Sequence, residues 1–212
     1  MAQLTERVIV SDACVAEGAD WLSARCPEMA RAYAETAPLP LRLKPQGFGQ
    51  LLSAIISQQV SVASARAITA RVEEAGLMDR SRMAQASEDE LRACGLSRQK
   101  IRYAWALAQA DLDFDALSAR ETEDVIADLT RITGIGVWTA EIYAKFSLGR
   151  ADAFAAGDLA LQEGARMLYG LEARPSEKAL RQMAEEWRPW RSVAARILWA
   201  YYARQKEREG IA

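Results

Sequence analysis

Histidine is absent from the 212-residue sequence. The imidazole side chain is a common proton donor and acceptor near neutral pH, and Ser-His-Asp triads and histidine metal sites depend on it. Its absence excludes both kinds of site. If the protein is an enzyme, carboxylates or lysines must carry out the chemistry.

Cysteine is scarce, and its spacing is irregular. Cys14, Cys26 and Cys94 are an odd number of thiols, and no two of them form a Cys-x-x-Cys pair. This excludes a disulfide framework and argues against a zinc or iron–sulfur site made of four thiolates. Free thiols suit a reducing cytoplasm, where we expect the protein to act.

Long apolar runs and an excess of positive charge are also missing. Residues 1–10 lack the apolar segment of a signal peptide, and no run approaches the roughly 18 apolar residues of a membrane span, so we expect no membrane association. The 27 basic and 29 acidic residues give a net charge of −2. Residues 174–212 nevertheless hold nine basic and five acidic residues, which fits either a solvated helix face or a local surface for nucleic acid.

Signals for β-strands are scarce, whereas apolar residues recur at helical spacing. The stripes predict helices around residues 48–56, 68–72, 91–95, 101–110, 125–132, 137–146, 159–168 and 179–187, and from Pro189 to about Lys206. Residues 36–47, which contain three prolines, predict an extended connector. The sequence therefore predicts an all-α protein, with a core that includes Ile55, Ile68, Leu107, Val125, Leu129 and Leu198.

One turn between two predicted helices carries chemistry. Thr133-Gly134-Ile135-Gly136 joins the stripes of residues 125–132 and 137–146. The two glycines permit backbone angles and close approaches that side chains prevent. The helix that follows begins with N–H groups at the positive end of its dipole, and such an end binds anions such as a phosphodiester. By itself the turn also fits an ordinary connection between helices.

In context, this turn resembles the helix-hairpin-helix of a DNA glycosylase superfamily that combines the hairpin with a Gly/Pro-rich loop and a catalytic aspartate. The superfamily hairpin reads apolar-x-Gly-apolar-Gly-x-x-Thr/Ser-Ala, and ITGIGVWTA at residues 132–140 matches it. The loop GRADAFAAGD at residues 149–158 follows at the expected distance and ends on Asp158. Two further segments, IISQQVS at 55–61 and WRPWRS at 187–192 with Trp199 beyond it, match members that act on alkylated bases. The resemblance covers about residues 45–205.

Departures from the superfamily pattern indicate which branch of the superfamily the sequence resembles. Trp138 stands where bifunctional members carry an amine nucleophile, which implies a glycosylase without lyase activity. No cysteine follows Cys94, which excludes the four-cysteine cluster of the endonuclease III branch. Both features point to a compact form of the 3-methyladenine DNA glycosylase II branch, without its N-terminal β-rich domain. Ile142 and Leu159 replace pocket tyrosines and Ala155 replaces a proline, so the range of substrates stays open.

The resemblance implies a fold and an activity. We expect an all-α helix-hairpin-helix glycosylase fold of two helical subdomains with the active-site cleft between them, as a single domain over residues 1–212. The hairpin would occupy about residues 122–147, and residues 1–44 would pack with the C-terminal helices. The implied activity is hydrolytic removal of alkylated purines, of the 3-methyladenine and 7-methylguanine type, from double-stranded DNA in base excision repair. The protein would act as a monomer in the cytoplasm, or at the nucleoid in a bacterium.

The resemblance also implies roles for five side chains. Asp158 would stabilise the positive charge that develops on the sugar, and a cationic base needs no general acid in order to leave. Trp138 and Trp199 would line the base pocket, because indole attracts a cationic ring. Gln59, with Gln58 beside it, would fill the gap left by the extruded base. The alternative is that the two glutamines cap the ends of neighbouring helices.

The remaining assignments concern the hairpin backbone and structural residues. The resemblance implies a phosphate site at Gly134, Gly136 and Thr139. It also implies a monovalent cation, sodium or potassium, on the carbonyls of Thr133 and Ile135, and no cofactor is required. Asp152 is interpreted as structural. Trp187 and Trp190 are interpreted as core residues, with contact to DNA as the alternative.

Two other functions stay open. The protein could be a glycosylase for deaminated or mismatched bases, whose pocket would need hydrogen-bond donors, or a non-catalytic protein that binds DNA structure through its hairpin. Asp158 separates the last possibility from the others. A pure binding module has no need of a carboxylate at that spacing, and an acidic side chain facing phosphates would only weaken binding.

Overall fold

The computed structural model describes residues 6–208. Within this range the chain forms twelve α-helices and two short 3-10 helices, and β-structure is limited to one isolated antiparallel bridge between Val8 and Arg150. The prediction of an all-α fold is confirmed. No helix between residues 6 and 208 is both long and apolar enough to cross a membrane.

The helices are numbered in chain order. They are α1 (Asp12–Ser23), α2 (Pro27–Thr36), α3 (Phe48–Ser57), α4 (Val62–Glu74), α5 (Arg80–Gln85), α6 (Glu88–Ala93), α7 (Arg98–Gln109), α8 (Thr122–Thr130), α9 (Val137–Phe146), α10 (Leu159–Tyr169), α11 (Glu177–Met183) and α12 (Arg191–Arg208), with 3-10 helices at Ala116–Ala119 and Ala184–Trp187.

Side-chain caps determine where many of these helices begin. Within the described residues, seven helices follow a serine or aspartate whose side-chain oxygen accepts a hydrogen bond from a backbone N–H of the first turn: Ser11, Ser61, Asp79, Ser87, Ser97, Asp158 and Ser176. Each cap satisfies a donor that the helix itself cannot satisfy, so it stabilises that start over its neighbours.

Four predicted helices need corrected boundaries. Those expected over residues 91–95 and 125–132 begin three residues earlier and end two residues earlier, as Glu88–Ala93 and Thr122–Thr130. The helix expected over residues 179–187 is α11 followed by the 3-10 turn Ala184–Trp187. The last helix begins at Arg191 and not at Pro189, because the carbonyl of Trp190 accepts its first helical bond, from Ala194 at 3.0 Å. The extended connector is confirmed between α2 and α3.

Residues 44–143 form one compact unit, called the first unit here. Its helix α7 packs against α3, α5 and α6, and α3 also packs against α4. Buried aliphatic side chains such as Leu51, Ile55 and Leu107 fill the space between them. The start of α3 is fixed to α9, because the Gly47 N–H donates to the Tyr143 hydroxyl at 2.8 Å.

Residues 6–43 and 144–208 form the second unit, which is built around α12. This helix packs against α1, α2 and α10, and it is buried along Arg191–Leu198. A Cβ at Gly164 of α10 would lie 2.8 Å from the carbonyl oxygen of Leu198, so only glycine permits the two helices to approach this closely. Helices α1 and α2 lie within the segment 1–44 that was predicted to pack with the C-terminal helices, of which residues 1–5 lie outside the described residues.

The predicted core residues are buried in the structure. Ile55, Ile68, Leu107, Val125, Leu129 and Leu198 all have little or no exposed surface. Trp187 and Trp190 are buried as well, in the core of the second unit, which confirms their structural interpretation.

Candidate functional site

The turn between α8 and α9 requires glycine at its first glycine position. Gly134 has a φ of +99°, a region that side chains disfavour. A Cβ added there would also lie 2.3 Å from Cγ of Tyr103, which is closer than real Cβ atoms come to their neighbours. The backbone of the turn therefore rests directly on the Tyr103 ring of α7.

Gly136 stands in a different environment two residues later. Its φ is not in the positive region, and a Cβ there would meet no described atom within 4 Å. The internal packing of the described residues thus gives no reason for glycine at this position. The open space lies beside the start of α9, where the Gly136 carbonyl accepts the helical bond of Ala140 at 3.0 Å. An anion can approach the N–H groups of the first turn through this space.

Thr139 contributes to this helix start in a limited way. The residue is only 7% exposed, whereas the neighbouring Val137 and Trp138 are about half exposed. Thr139 as a whole therefore offers little surface to a phosphate. The assignment of Gly134, Gly136 and Thr139 to phosphate remains a prediction.

The structure separates the two glutamines that were predicted to act together. Gln58 ends α3, and its Nε2 donates to the carbonyl oxygen of Gly134 at 3.0 Å, so this side chain holds the hairpin turn. Gln59 has a φ of +54° and is exposed. A non-glycine residue in this left-handed region carries backbone strain, which concentrates at functional sites. Of the pair, Gln59 is the residue that is exposed to solvent and free to contact DNA.

An open groove of about 590 Å³ brings the predicted wedge and the predicted phosphate site together in the first unit. Its lining includes Gln58 and Gln59 of the predicted wedge, and Gly134 and Gly136 of the predicted phosphate site. Lys100 also lines it. The Lys100 Nζ donates to the carbonyl oxygen of Ile56 at 2.5 Å, and burial lowers the pKa of its ammonium group.

Two lining residues of this groove, Lys100 and Tyr103, were missed by the sequence analysis. Both lie on α7, far in sequence from the two motifs that border the groove. The serine cap of α7 and its apolar stripe predict a helix at this place. They carry no signal about which motif that helix will pack against.

Trp138 lies on the first turn of α9 in the first unit and is 47% exposed. An indole that is nearly half exposed offers a large apolar surface to a ligand or partner. Val137 beside it is 48% exposed. The pair gives the start of α9 an apolar contact surface next to the N–H groups of the helix end.

Asp158 is held in place at the start of α10, in the second unit. Its Oδ1 accepts hydrogen bonds from the backbone N–H groups of Ala160 and Leu161, both at 3.0 Å. The indole Nε1 of Trp199 donates to the same oxygen at 3.1 Å. Three donors on one carboxylate oxygen fix the position of the group and stabilise its negative charge.

The contact between Asp158 and Trp199 was not predicted. The superfamily resemblance implies a site role for both residues but gives Trp199 the role of a stacking surface. In the structure, its ring is stacked on Phe146, with centroids 5.8 Å apart and an angle of 22°, and the Lys145 ammonium lies 4.4 Å from the ring centroid. The N–H edge of Trp199 is what reaches Asp158. Its role as a wall of the base pocket stays a prediction.

The loop that leads to Asp158 is anchored by Asp152. Its carboxylate accepts from Arg191 at 2.8 and 2.9 Å and from Arg188 at 2.9 Å. This ion pair ties the loop to the start of α12, so the structural interpretation of Asp152 is confirmed. The loop then closes with a bond from the Asp158 N–H to the carbonyl of Ala155 at 3.0 Å.

Each of the two units contains part of the candidate site. The first unit offers a helix start with open space at Gly136 and an exposed indole. The second unit offers a carboxylate held by two backbone donors and an indole. Within residues 6–208, no group of three or more cysteine, aspartate or glutamate side chains could hold a metal ion.

Comparison with known proteins places these features in a family. The model of the HhH-GPD superfamily of base excision DNA repair proteins matches residues 52–189, which is more than half of the chain. A putative DNA-3-methyladenine glycosylase of Bacillus subtilis is 27% identical over 180 residues. That match covers 79% of this chain but only 63% of the relative, so the chain spans less than two thirds of its length.

Two solved structures are similar to the whole fold. A DNA-3-methyladenine glycosidase from Bacillus halodurans has a TM-score of 0.80 and 32% identity, over 96% of this chain and 95% of that one. A 3-methyladenine DNA glycosylase from Schizosaccharomyces pombe, in complex with abasic DNA, has a TM-score of 0.73 and 28% identity, over 86% and 95%. With the match over residues 52–189, these similarities show that the chain belongs to the HhH-GPD superfamily of base excision DNA repair proteins.

Proposed function

We propose that the protein is a monofunctional DNA glycosylase that flips alkylated purines out of double-stranded DNA and hydrolyses the N-glycosidic bond. The proposal depends on one observation, the position of Asp158 at the end of the loop that follows the hairpin. Its carboxylate accepts hydrogen bonds from Ala160, Leu161 and Trp199. The names of the similar proteins from Bacillus and Schizosaccharomyces support 3-methyladenine as a substrate. Adducts such as 7-methylguanine have the same chemistry.

The substrate supplies a good leaving group, and the carboxylate stabilises the charge that develops on the sugar. A purine alkylated at N3 or N7 is cationic, so it leaves without being protonated by the enzyme. The sugar then acquires positive charge as the bond breaks, and a fixed carboxylate lowers the energy of that state. Asp158 supplies this charge, and it also orients the water that attacks the sugar. This division of work fits a sequence with no histidine.

The hairpin positions the DNA strand without reading its bases. We assign a phosphate to the start of α9, where the open space at Gly136 gives access to the backbone N–H groups. The Gly134 carbonyl is engaged by Gln58. We therefore assign the monovalent cation to the carbonyls of Thr133 and Ile135 on either side. A bound sodium or potassium ion would supply positive charge against the phosphate.

We also propose a binding partner, an oligomeric state and a cellular compartment for the protein. The partner is double-stranded DNA, bound by a monomer. We propose that the protein needs no iron–sulfur cluster and no cofactor other than the hairpin cation. The proposed compartment is the cytoplasm, at the nucleoid if the source is a bacterium.

The direct test is release of free base from methylated duplex DNA by the purified protein, measured by chromatography. We expect 3-methyladenine and 7-methylguanine to appear while the DNA strand stays intact, and borohydride to trap no covalent complex. Release with strand cleavage and a trapped complex would contradict the monofunctional assignment. Tight binding to abasic-analogue DNA without any release of base would contradict the glycosylase assignment and indicate a non-catalytic DNA-binding protein.

Replacing Trp199 with phenylalanine is expected to slow base release about 10-fold, because the ring remains but the charge-assisted hydrogen bond to Asp158 is lost. The measurement is the single-turnover rate at saturating enzyme. Binding of abasic-analogue DNA is expected to stay within about twofold of wild type. Equal loss of rate and binding would show that Trp199 serves the fold and not the carboxylate.

Replacing Gln59 with alanine is expected to slow release from duplex DNA by about 10-fold, because the extruded base leaves a gap that alanine cannot fill. The matched measurement uses the same lesion in single-stranded DNA, where no base must be extruded from a stack. There we expect the variant to equal wild type within about twofold. A similar loss on both substrates would exclude the wedge role.

A further inference from the structure

Lys145 is a fully buried lysine in the second unit, with no exposed surface. Its Nζ lies 4.4 Å from the centroid of the Trp199 ring and 5.5 Å from that of Phe154. A lysine is almost never fully buried unless its ammonium group is paired, because that group loses its hydration on burial. One contact of the buried Lys145 ammonium group is with the indole ring of Trp199.

The contacts of Trp199 connect this ammonium group to the carboxylate. The ring has Phe146 stacked on it, and the Lys145 cation lies over it at the short end of the cation–π range. These contacts set the plane of the indole. The plane in turn sets the direction of its Nε1–H, which donates to Oδ1 of Asp158 at 3.1 Å.

We propose that Lys145 is a positioning residue that acts through Trp199 to orient the carboxylate of Asp158. The inference rests on the proposed function, because Asp158 must face a cationic sugar for its orientation to matter. The backbone donors of Ala160 and Leu161 belong to one helix start and hold one oxygen. Trp199 comes from α12 and donates to that same oxygen, so the carboxylate is held from two different helices.

Positioning and simple electrostatics predict opposite signs for the loss of Lys145. If Lys145 acted only through its own positive charge, removing it would favour a cationic ligand near Asp158. If it positions the carboxylate, removing it weakens the binding of that same ligand. Two abasic-site analogues in otherwise identical duplex DNA distinguish these cases: a neutral tetrahydrofuran, and a pyrrolidine whose ring nitrogen is protonated.

The test is Lys145→Met, which keeps the length of the side chain and removes its charge. We expect the preference for pyrrolidine over tetrahydrofuran DNA to fall about 5-fold, and single-turnover base release to slow by about the same factor. Affinity for tetrahydrofuran DNA stays at the wild-type value. In a Trp199→Phe background, Lys145→Met adds less than about a twofold effect, because the route through the indole N–H is already lost.

Lys178→Met is the matched control, because Lys178 is an exposed lysine of α11 in the same unit. It is expected to match wild type in both measurements, and a thermal melt checks that each variant is folded. An unchanged or increased pyrrolidine preference in Lys145→Met would overturn the proposal, and so would full additivity with Trp199→Phe. If the wild-type protein itself releases no base, the proposed function fails. A pyrrolidine preference that still depends on Lys145 would then show that the positioning is real.

Discussion

Asp158→Asn is expected to lower the single-turnover rate of base release by about 1,000-fold or more, because the negative charge that stabilises the cationic sugar is gone. Asparagine keeps an acceptor oxygen in the same place, so the bonds from Ala160, Leu161 and Trp199 can be retained. The fold and the cap of α10 should therefore survive. Affinity for DNA with a neutral abasic analogue should be kept or increased.

Asp152→Asn is the matched control for this variant, since it makes the same chemical change in the same loop. Asp152 is paired with Arg188 and Arg191, so its loss is expected to cost about 1–3 kcal/mol of folding stability. Base release measured well below the melting temperature should remain within about threefold of wild type. Turnover by Asp158→Asn equal to that of wild type would exclude the proposed mechanism.

Alanine at Gly134 is expected to destabilise the protein by about 2–4 kcal/mol, which would lower the melting temperature by roughly 5–10 °C. Two causes act together, a φ of +99° and a Cβ placed 2.3 Å from the Tyr103 ring. The clash involves Cβ and Cγ of Tyr103, which lie close to its backbone, so rotation of the ring does not relieve it. Thermal unfolding followed by circular dichroism measures the effect.

The same substitution at Gly136 provides the contrast. A Cβ there meets no described atom within 4 Å, so folding stability should change by less than about 1 kcal/mol. Binding to duplex DNA should weaken about 10-fold, because the methyl group occupies the approach to the phosphate site. The preference among bases should not change. Loss of stability at Gly136, or loss of base preference with intact affinity, would contradict the assignment of phosphate to this helix start.

The fold could be predicted where the buried face is made of large aliphatic residues. Phe48, Leu51, Leu52 and Ile55 predict α3 because their spacing and size leave a clear stripe. Helix α1 was not predicted. Two of its four buried residues are Gly18 and Ala19, which leave little hydrophobic contrast with the exposed face. Gly18 is small because the Trp190 ring occupies the adjacent space, a fact of packing that the local sequence does not contain.

The parts of the site that lie within short sequence motifs could be predicted, whereas the contacts between distant residues could not. The hairpin and the loop end are each a short run of residues, and their resemblance to the superfamily motifs predicts Gly136 and Asp158. The bond between Trp199 and Asp158 joins residues 41 positions apart, and the position of Lys145 over Trp199 spans 54. Side-chain contacts at such separation depend on how helices pack. A lysine near the end of an amphipathic helix also suggests a solvated position, whereas Lys145 is buried.

The central claim is that Asp158 stabilises the departure of an alkylated base from DNA. The most direct test is single-turnover release of 7-methylguanine from a duplex that carries one such lesion, with wild type and Asp158→Asn measured side by side. We predict that wild type releases the base and leaves the strand intact, and that the variant shows no release above the uncatalysed rate. Release at the same rate by both proteins, or by neither, would contradict the claim.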